Sequence, residues 1–150
     1  MKIFKKITSF ALALFVAGSL SISNINVQAK SISISGTTLV TYAKQFIGTP
    51  YKSGGTTSAG FDCSGFTMYI FNHFNIKLPR IAKDQTSKGT AVSKSNLRTG
   101  DLVFFGSPIN HVGMYVGDGK LIHSPKPGSA VKIIELKYMP GYNTARRITT

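Results

Sequence analysis

The strongest constraint on the fold is a change in hydrophobic periodicity near residue 100. Before it, apolar residues recur at the 3.6-residue spacing of amphipathic helices. After it, short apolar segments are separated by Gly, Pro, Asn and Asp, the pattern of a series of short strands. Because helices come first and strands follow, the sequence predicts an α+β fold in which N-terminal helices pack on a C-terminal antiparallel sheet.

The apolar periodicity, and the Gly, Pro, Asn and Asp residues that interrupt it, predict the individual helices and strands. The expected helices cover 37–47, 62–74 and 79–89. Thr37 or Thr38 suits the cap of the first helix and Asp62 suits the cap of the second, since both residue types accept hydrogen bonds from free backbone N–H groups. The expected strands are Asp101–Phe105, His111–Val116, Lys120–Ser124, Ala130–Leu136 and Ala145–Ile148.

The first 29 residues have the composition of a secretory signal peptide. Three lysines precede an apolar run at 10–20, and a polar stretch then ends in Val27-Gln28-Ala29. The run of 11 residues is shorter than the roughly 20 that span a bilayer, which argues against a membrane anchor. We expect cleavage after Ala29, a flexible lead-in at 30–36 and a folded domain at 37–150, exported and without a stable membrane anchor.

Charge and cysteine content narrow the function classes. Removing residues 1–29 takes away three lysines and no acid, so the formal net charge falls only from +13 to +10. Such a protein associates with polyanions, although the scattered basic residues form no nucleic-acid recognition pattern. One Cys excludes an internal disulfide and a Cys-rich zinc site, and five acids are too few to favour a calcium site.

Cys63 is a candidate nucleophile because it lies at the predicted start of the second helix. Free N–H groups and the positive end of the helix dipole favour an anion there, so we expect a lowered thiol pKa. The alternative is a buried structural cysteine. Zinc bound by Cys63, His111 and His123 is a further alternative, which leaves the fourth ligand unassigned.

The three histidines differ in their distance from Cys63. His73 follows it by ten residues in the same helix, about 15 Å away, and is read as a surface or packing residue. His111 and His123 lie on neighbouring strands, where residues directly opposite share a face. They share a face only if Gly113 pairs with His123.

The loop between those strands determines their pairing. A two-residue loop at Asp118-Gly119 places the two histidines on opposite faces, whereas a three-residue loop over 117–119 pairs Val116 with Lys120 and brings the histidines together. On the hypothesis that both serve one site, we expect the longer loop. We also expect Gly113 to leave space on that face for the helix of Cys63.

Several motifs in order resemble the NlpC-type peptidoglycan endopeptidases. They are Gly48-Thr49-Pro50-Tyr51, Gly54-Gly55, Gly60–Phe66, Leu78-Pro79-Arg80 with Gln85, Gly100–Phe105, His111–Gly117 and Ile122-His123. The resemblance covers residues 39–148 and implies a compact papain-like fold with a Cys63-His111-His123 triad. Ala59, Ile81 and Thr99 depart from the family pattern, and Ile81 removes a hydroxyl that usually follows Pro-Arg.

The resemblance also implies an activity. It points to a secreted cysteine peptidase that cleaves peptidoglycan stem peptides, by preference between γ-D-glutamate and the following diamino acid. Tyr51 is expected to line the site and to donate to the oxyanion, while Asp62, Ser64 and Arg80 are candidates for binding charged groups of the peptide. Asp62 can equally be an N-cap, and Arg80 a surface ion-pair member.

The resemblance implies no cofactor and no metal. The expected partners are peptidoglycan and anionic wall polymers, not nucleic acid. Two other functions stay open on the sequence alone. One is a related papain-like amidase or acyltransferase acting on another amide or ester, and the other is a non-catalytic cationic wall-binding protein.

Overall fold

The computed structural model describes residues 33–148. The predicted signal peptide lies outside these residues, as does the first part of the predicted lead-in. The helices are α1 (Gly36–Lys44), α2 (Cys63–His73) and α3 (Ala82–Gln85), with 3₁₀ turns at Lys94–Asn96 and Leu136–Tyr138. The strands are β1 (Thr56–Thr57), β2 (Gly60–Phe61), β3 (Thr90–Ala91), β4 (Leu102–Phe105), β5 (His111–Gly117), β6 (Lys120–His123), β7 (Lys132–Glu135) and β8 (Tyr142–Arg147).

One antiparallel sheet dominates the described chain, with strand order β3-β8-β4-β5-β6-β7. Helices α1 and α2 cover one face, where Val112 and Met114 of β5 pack against residues such as Phe66 and Ile70 of α2. A second apolar cluster covers part of the other face and includes Leu121 of β6. This arrangement confirms the predicted α+β class, and β5 is buried from both sides as its sequence requires.

Both long helices begin at side-chain caps. Asp62 caps α2, as predicted, by accepting a hydrogen bond from the N–H of Gly65 at 2.7 Å. The predicted cap of α1 at Thr37 or Thr38 is wrong, because Ser35 caps the helix and accepts from the N–H of Thr38 at 3.1 Å. Ser35 and Gly36, which belong to the predicted lead-in, therefore form the start of α1.

The third helix is much shorter than predicted and has only four residues. Its N-cap, Ile81, is extended and makes no side-chain capping bond. The preceding Pro79 carbonyl instead accepts a hydrogen bond from the Gln85 side chain at 2.9 Å. Residues 79–81 therefore lie outside α3, and this bond ties Pro79 to the last residue of the helix.

The β5–β6 hairpin reaches the predicted register by an unpredicted route. Met114 lies opposite Ile122, a register that sets Gly113 against His123 as expected. The loop, however, has two residues, because Gly117 pairs with Lys120 and the register shifts between Tyr115 and Gly117. Asp118 and Gly119 both have positive φ, which is the geometry of a type I′ turn. The extra residue is a β-bulge at Val116 instead of a third loop residue.

Gly113 has a different role from the one expected. A Cβ there would lie 2.3 Å from Leu121 Cδ1 and 3.2 Å from His123 Cβ. Helix α2 packs on the opposite face of β5, so the expectation that Gly113 makes room for that helix is wrong. The missing side chain gives space to the neighbouring strand β6 instead.

Gly113→Ala is therefore expected to destabilise the fold by about 1–3 kcal/mol, since Leu121 or the strand must move. Urea denaturation followed by circular dichroism measures the loss. Gly119→Asn is the control, because a Cβ there meets no atom within 4 Å and Asn tolerates positive φ. If Gly113→Ala were as stable as the wild type, then Leu121 and His123 would leave room for a methyl group at position 113, contrary to this argument.

Candidate active site

Cys63 is the first residue of α2, and its half-buried sulfur lies against the beginning of β5. The sulfur is 4.0 Å from the carbonyl oxygen of Asn110, and the Val112 backbone lowers the pKa of the thiol. These two residues flank His111 in sequence. The structure therefore brings the predicted nucleophile to the point of the sheet where the predicted base begins its strand.

His111 and His123 form a hydrogen-bonded pair. His111 Nε2 and His123 Nδ1 are 2.9 Å apart, and the two rings are nearly perpendicular at 82°. The β-bulge at Val116 makes this possible, because it places both side chains on one face of the sheet. His73 is not part of this group; it stacks on Tyr42 with ring centroids 3.9 Å apart, which confirms its reading as a packing residue.

Burial keeps both imidazoles neutral. It lowers the pKa of His111 from 6.5 to about 4. It also lowers the pKa of His123 to about 4, with further lowering from the neighbouring His111 and Lys132. Lys132 lies directly opposite His123 in the β6–β7 pairing. Near neutral pH, neither histidine therefore carries charge.

The predicted lowering of the Cys63 pKa is wrong. Burial raises the pKa of the thiol, and the Asp62 carboxylate raises it further. Hydrogen bonds from the Val112 and Ser64 backbones and from the Ser64 side chain oppose these effects without reversing them. The site consequently combines a neutral thiol with two neutral imidazoles.

Asp62, Ser64 and Arg80 form one hydrogen-bonded network. Both Asp62 oxygens accept from the Arg80 guanidinium, whose Nη1 also lies 3.1 Å from Ser64 Oγ. Burial alone would raise the pKa of Asp62, but the bonds from Arg80 and from the Gly65 N–H hold it below its usual value. Asp62 is thus both the N-cap of α2 and the ion-pair partner of Arg80.

Gln85 is hydrogen-bonded to residues beside this network. The sequence alone predicts no role for it. Its side chain is fully buried. Its Nε2 donates to the Ser64 carbonyl at 3.1 Å, and its Oε1 accepts from Thr67 Oγ1 at 2.8 Å. With the bond to Pro79, these contacts fasten the segment carrying Arg80 to the first turn of α2. Its place in the family motif was the available sequence signal.

Tyr51 lies close to Cys63 without being fully buried. Its backbone N–H donates to the Ser129 carbonyl at 2.8 Å, which fixes the segment beside α2. Burial raises the pKa of the Tyr51 phenol, and Cys63 and Asp62 add to the effect while Arg80 opposes it. A cavity of about 250 Å³ is lined by side chains that include Tyr51, Asp62, Cys63, Ser64, Ile81 and Asn110.

Ile81 gives this cavity an apolar edge, since its side chain is 52% exposed where the family pattern usually has a hydroxyl. Within residues 33–148, no group of three or more His, Cys, Asp and Glu side chains is arranged to hold a metal ion. In the same part of the chain, no helix combines the length and apolar character needed to cross a membrane.

Known proteins share this sequence and geometry. A gamma-D-glutamyl-L-lysine dipeptidyl-peptidase of Bacillus cereus is 44% identical over 117 residues, which cover 73% of this chain and 35% of that protein. The Escherichia coli protein named murein DD-endopeptidase MepS/murein LD-carboxypeptidase is 42% identical over 106 residues, covering 67% of this chain and 56% of that protein. This chain thus spans about a third and about half of these relatives.

A solved structure and a family model indicate the same family as these relatives. The solved NlpC/p60 domain of the peptidoglycan hydrolase SagA superposes with a TM-score of 0.73 at 37% identity, covering 77% of this chain and 100% of that chain. The NlpC/P60 family model matches residues 48–147, a range that contains Cys63, His111 and His123. The resemblance read from the motifs is confirmed, and the chain belongs to the NlpC/P60 family.

Proposed function

We propose that this protein is a cysteine peptidase that hydrolyses peptidoglycan stem peptides, by preference the bond between γ-D-glutamate and the following diamino acid. Two observations carry the proposal: the hydrogen bond between His111 and His123, and the position of the Cys63 sulfur 4.0 Å from the carbonyl oxygen of Asn110, the residue before His111. The relatives named as a gamma-D-glutamyl-L-lysine dipeptidyl-peptidase and a murein endopeptidase support the substrate class.

The hydrogen bond between the histidines determines the direction of proton transfer. If His111 Nε2–H donates to His123 Nδ1, then His111 Nδ1 is unprotonated and able to accept the Cys63 proton. The sulfur attacks the amide carbonyl as that proton moves to His111. His111 then gives the proton to the leaving amine, and the C–N bond breaks to leave a thioester.

Water completes the reaction. His111 takes a proton from water, whose oxygen attacks the thioester carbonyl. The proton returns to the departing sulfur, which regenerates the thiol and releases the carboxylic acid. His123 holds the His111 ring in the required tautomer and is a positioning residue for both steps. The Cys63 backbone N–H and the Tyr51 hydroxyl are the proposed donors to the oxyanion formed each time.

The Asp62–Arg80–Ser64 network is proposed to bind polar groups on the acyl side of the substrate. Asp62 and Ser64 line the cavity that contains Cys63, and Arg80 keeps 38% of its side chain exposed while paired to Asp62. Lys83 lines the same cavity and adds a positive charge that Asp62, already paired with Arg80, does not take up as an ion pair. Stem peptides carry carboxylates, which such groups attract.

Export and association with the wall are also proposed. The signal-like residues 1–29 support export, and the excess of 18 basic over five acidic residues favours attachment to anionic wall polymers. Both properties would place the enzyme next to its substrate.

The decisive experiment is digestion of purified peptidoglycan followed by mass analysis of the fragments. We expect new termini at γ-D-glutamate and at the diamino acid with the wild type. Because the Escherichia coli relative is named for other bonds, fragments cut between D-amino acids would correct the bond, and an undigested wall would contradict the proposal.

Cys63→Ala is expected to abolish wall digestion, since no other thiol is present in the chain. Its circular dichroism spectrum should match that of the wild type. Residual digestion by the pure variant would remove Cys63 from the role of nucleophile.

His123→Gln is expected to retain more activity than His111→Ala. The Gln side-chain oxygen can still accept from His111 Nε2, whereas His111→Ala removes the base, worth about 100- to 10,000-fold in rate. Comparing kcat/KM of the two variants on one peptide tests this difference. Equal losses in both would contradict a positioning role for His123 in holding the His111 tautomer.

The pH profile should follow the lowered histidine pKa values. Because His111 and His123 titrate at about 4 and not at 6.5, kcat/KM is expected to persist through weak acid and to fall near pH 4 as the base is protonated. The unfolded chain binds these protons first, so stability should also decline as the pH drops from 6.5 toward 4. An acid limb centred near 6.5 in still-folded protein would contradict the burial argument.

A further inference from the structure

A groove borders the histidine pair, and none of its lining residues lines the cavity that contains Cys63. It has a volume of about 390 Å³ and is lined by residues that include His111, His123, Lys126, Lys132, Ile134 and Met139. No acidic side chain is among its lining residues in the described chain.

The two lysines of the groove are available to a ligand. Lys126 and Lys132 are exposed, and neither takes part in an ion pair between residues 33 and 148. Lys132 also faces His123 across the β6–β7 ladder. An ammonium group in this position binds an anion by charge and by donated hydrogen bonds.

A buried donor at the groove lacks an acceptor. His123 is 2% exposed, and its Nε2 has no hydrogen-bond partner in the described part of the chain. In the tautomer that leaves His111 able to act as a base, this nitrogen carries the proton. A buried N–H without an acceptor is costly, and a bound anion would supply one.

The proposed mechanism indicates which side of the scissile bond lies near this groove. The leaving amine must lie at His111, which protonates it, while the acyl side occupies the cavity with Tyr51 and Asp62. The groove beyond His111 is therefore placed for the part of the substrate that carries the leaving amine. That part begins with the diamino acid, and its first free carboxylate is that of the diamino acid itself or of the D-alanine that follows it.

We propose that this groove is a subsite for a carboxylate on the leaving side of the scissile bond, held by Lys126 and Lys132. The proposal rests on the peptidase function proposed above and adds the charge of the leaving group as a determinant of specificity. Ile134 and Met139 provide an apolar wall for the adjoining side chain.

The kinetic test compares two peptides, L-Ala-γ-D-Glu-L-Lys with a free C-terminal carboxylate and the same peptide as its carboxamide. We expect the wild type to prefer the carboxylate by about tenfold in kcat/KM. The double variant Lys126→Met/Lys132→Met should lose that preference by slowing only the carboxylate peptide. Its unchanged rate on the carboxamide would report an intact catalytic site.

Lys83→Met is the matched control, because it removes a lysine from the cavity on the acyl side. The control should keep the wild-type preference. A wild type without preference, a double variant that keeps it, or a control that loses it would each overturn the subsite.

A binding measurement separates this subsite from the proposed function. Cys63→Ala protein is titrated with the dipeptide L-Lys-D-Ala, with its carboxamide and with inorganic phosphate, while NMR follows the His123 ring. We expect a saturable shift with the carboxylate dipeptide alone, lost in the variant that also lacks both lysines. Phosphate binding without dipeptide binding would overturn the carboxylate assignment. Failure of both peptides to be hydrolysed would overturn the peptidase proposal, while this titration still decides the subsite.

Discussion

The position of one extra residue in a strand determines the geometry of the whole site. Side chains alternate between the faces of a sheet, so a shift of one residue between β5 and β6 moves His123 relative to His111 to the opposite face. The bulge at Val116 absorbs that residue and leaves Asp118-Gly119 as a tight turn. The 2.9 Å contact between the imidazoles follows from this register. Gly113 allows it, because any larger residue would push against Leu121 and His123.

Burial determines the charge state of the same groups. The histidine pair sits on a sheet face beside an apolar cluster, and desolvation disfavours the imidazolium of each ring. The sulfur of Cys63 is also desolvated, and the Asp62 carboxylate next to it further disfavours a thiolate. A resting ion pair between Cys63 and His111 is therefore not favoured.

The N-terminal turn of α2 joins the site to the rest of the fold. Asp62 caps the helix and holds Arg80, and Gln85 fastens the Arg80 segment to the same turn through the Ser64 carbonyl. Gly65 lets the Gly55 carbonyl approach closely, since a Cβ there would lie 1.9 Å from that oxygen. Polar groups that must be satisfied in the interior thus position Cys63, and Asp62 also lines the proposed acyl-side cavity.

The sequence by itself determined the class of fold, the helix that begins at Asp62, the family and the three residues of the proposed triad. These properties depend on local periodicity, on capping chemistry and on motifs whose order along the chain is directly readable. Only the tertiary structure decided the bulge at Val116, the face of β5 that α2 covers, the role of Gln85 and the raised pKa of Cys63. Bulges and loop lengths differ by small energies that depend on neighbouring strands, while desolvation depends on what the completed fold packs around a group. The pairing of Lys132 with His123 could not be predicted from the sequence, because nothing near Lys132 in the chain shows that it lies opposite this histidine.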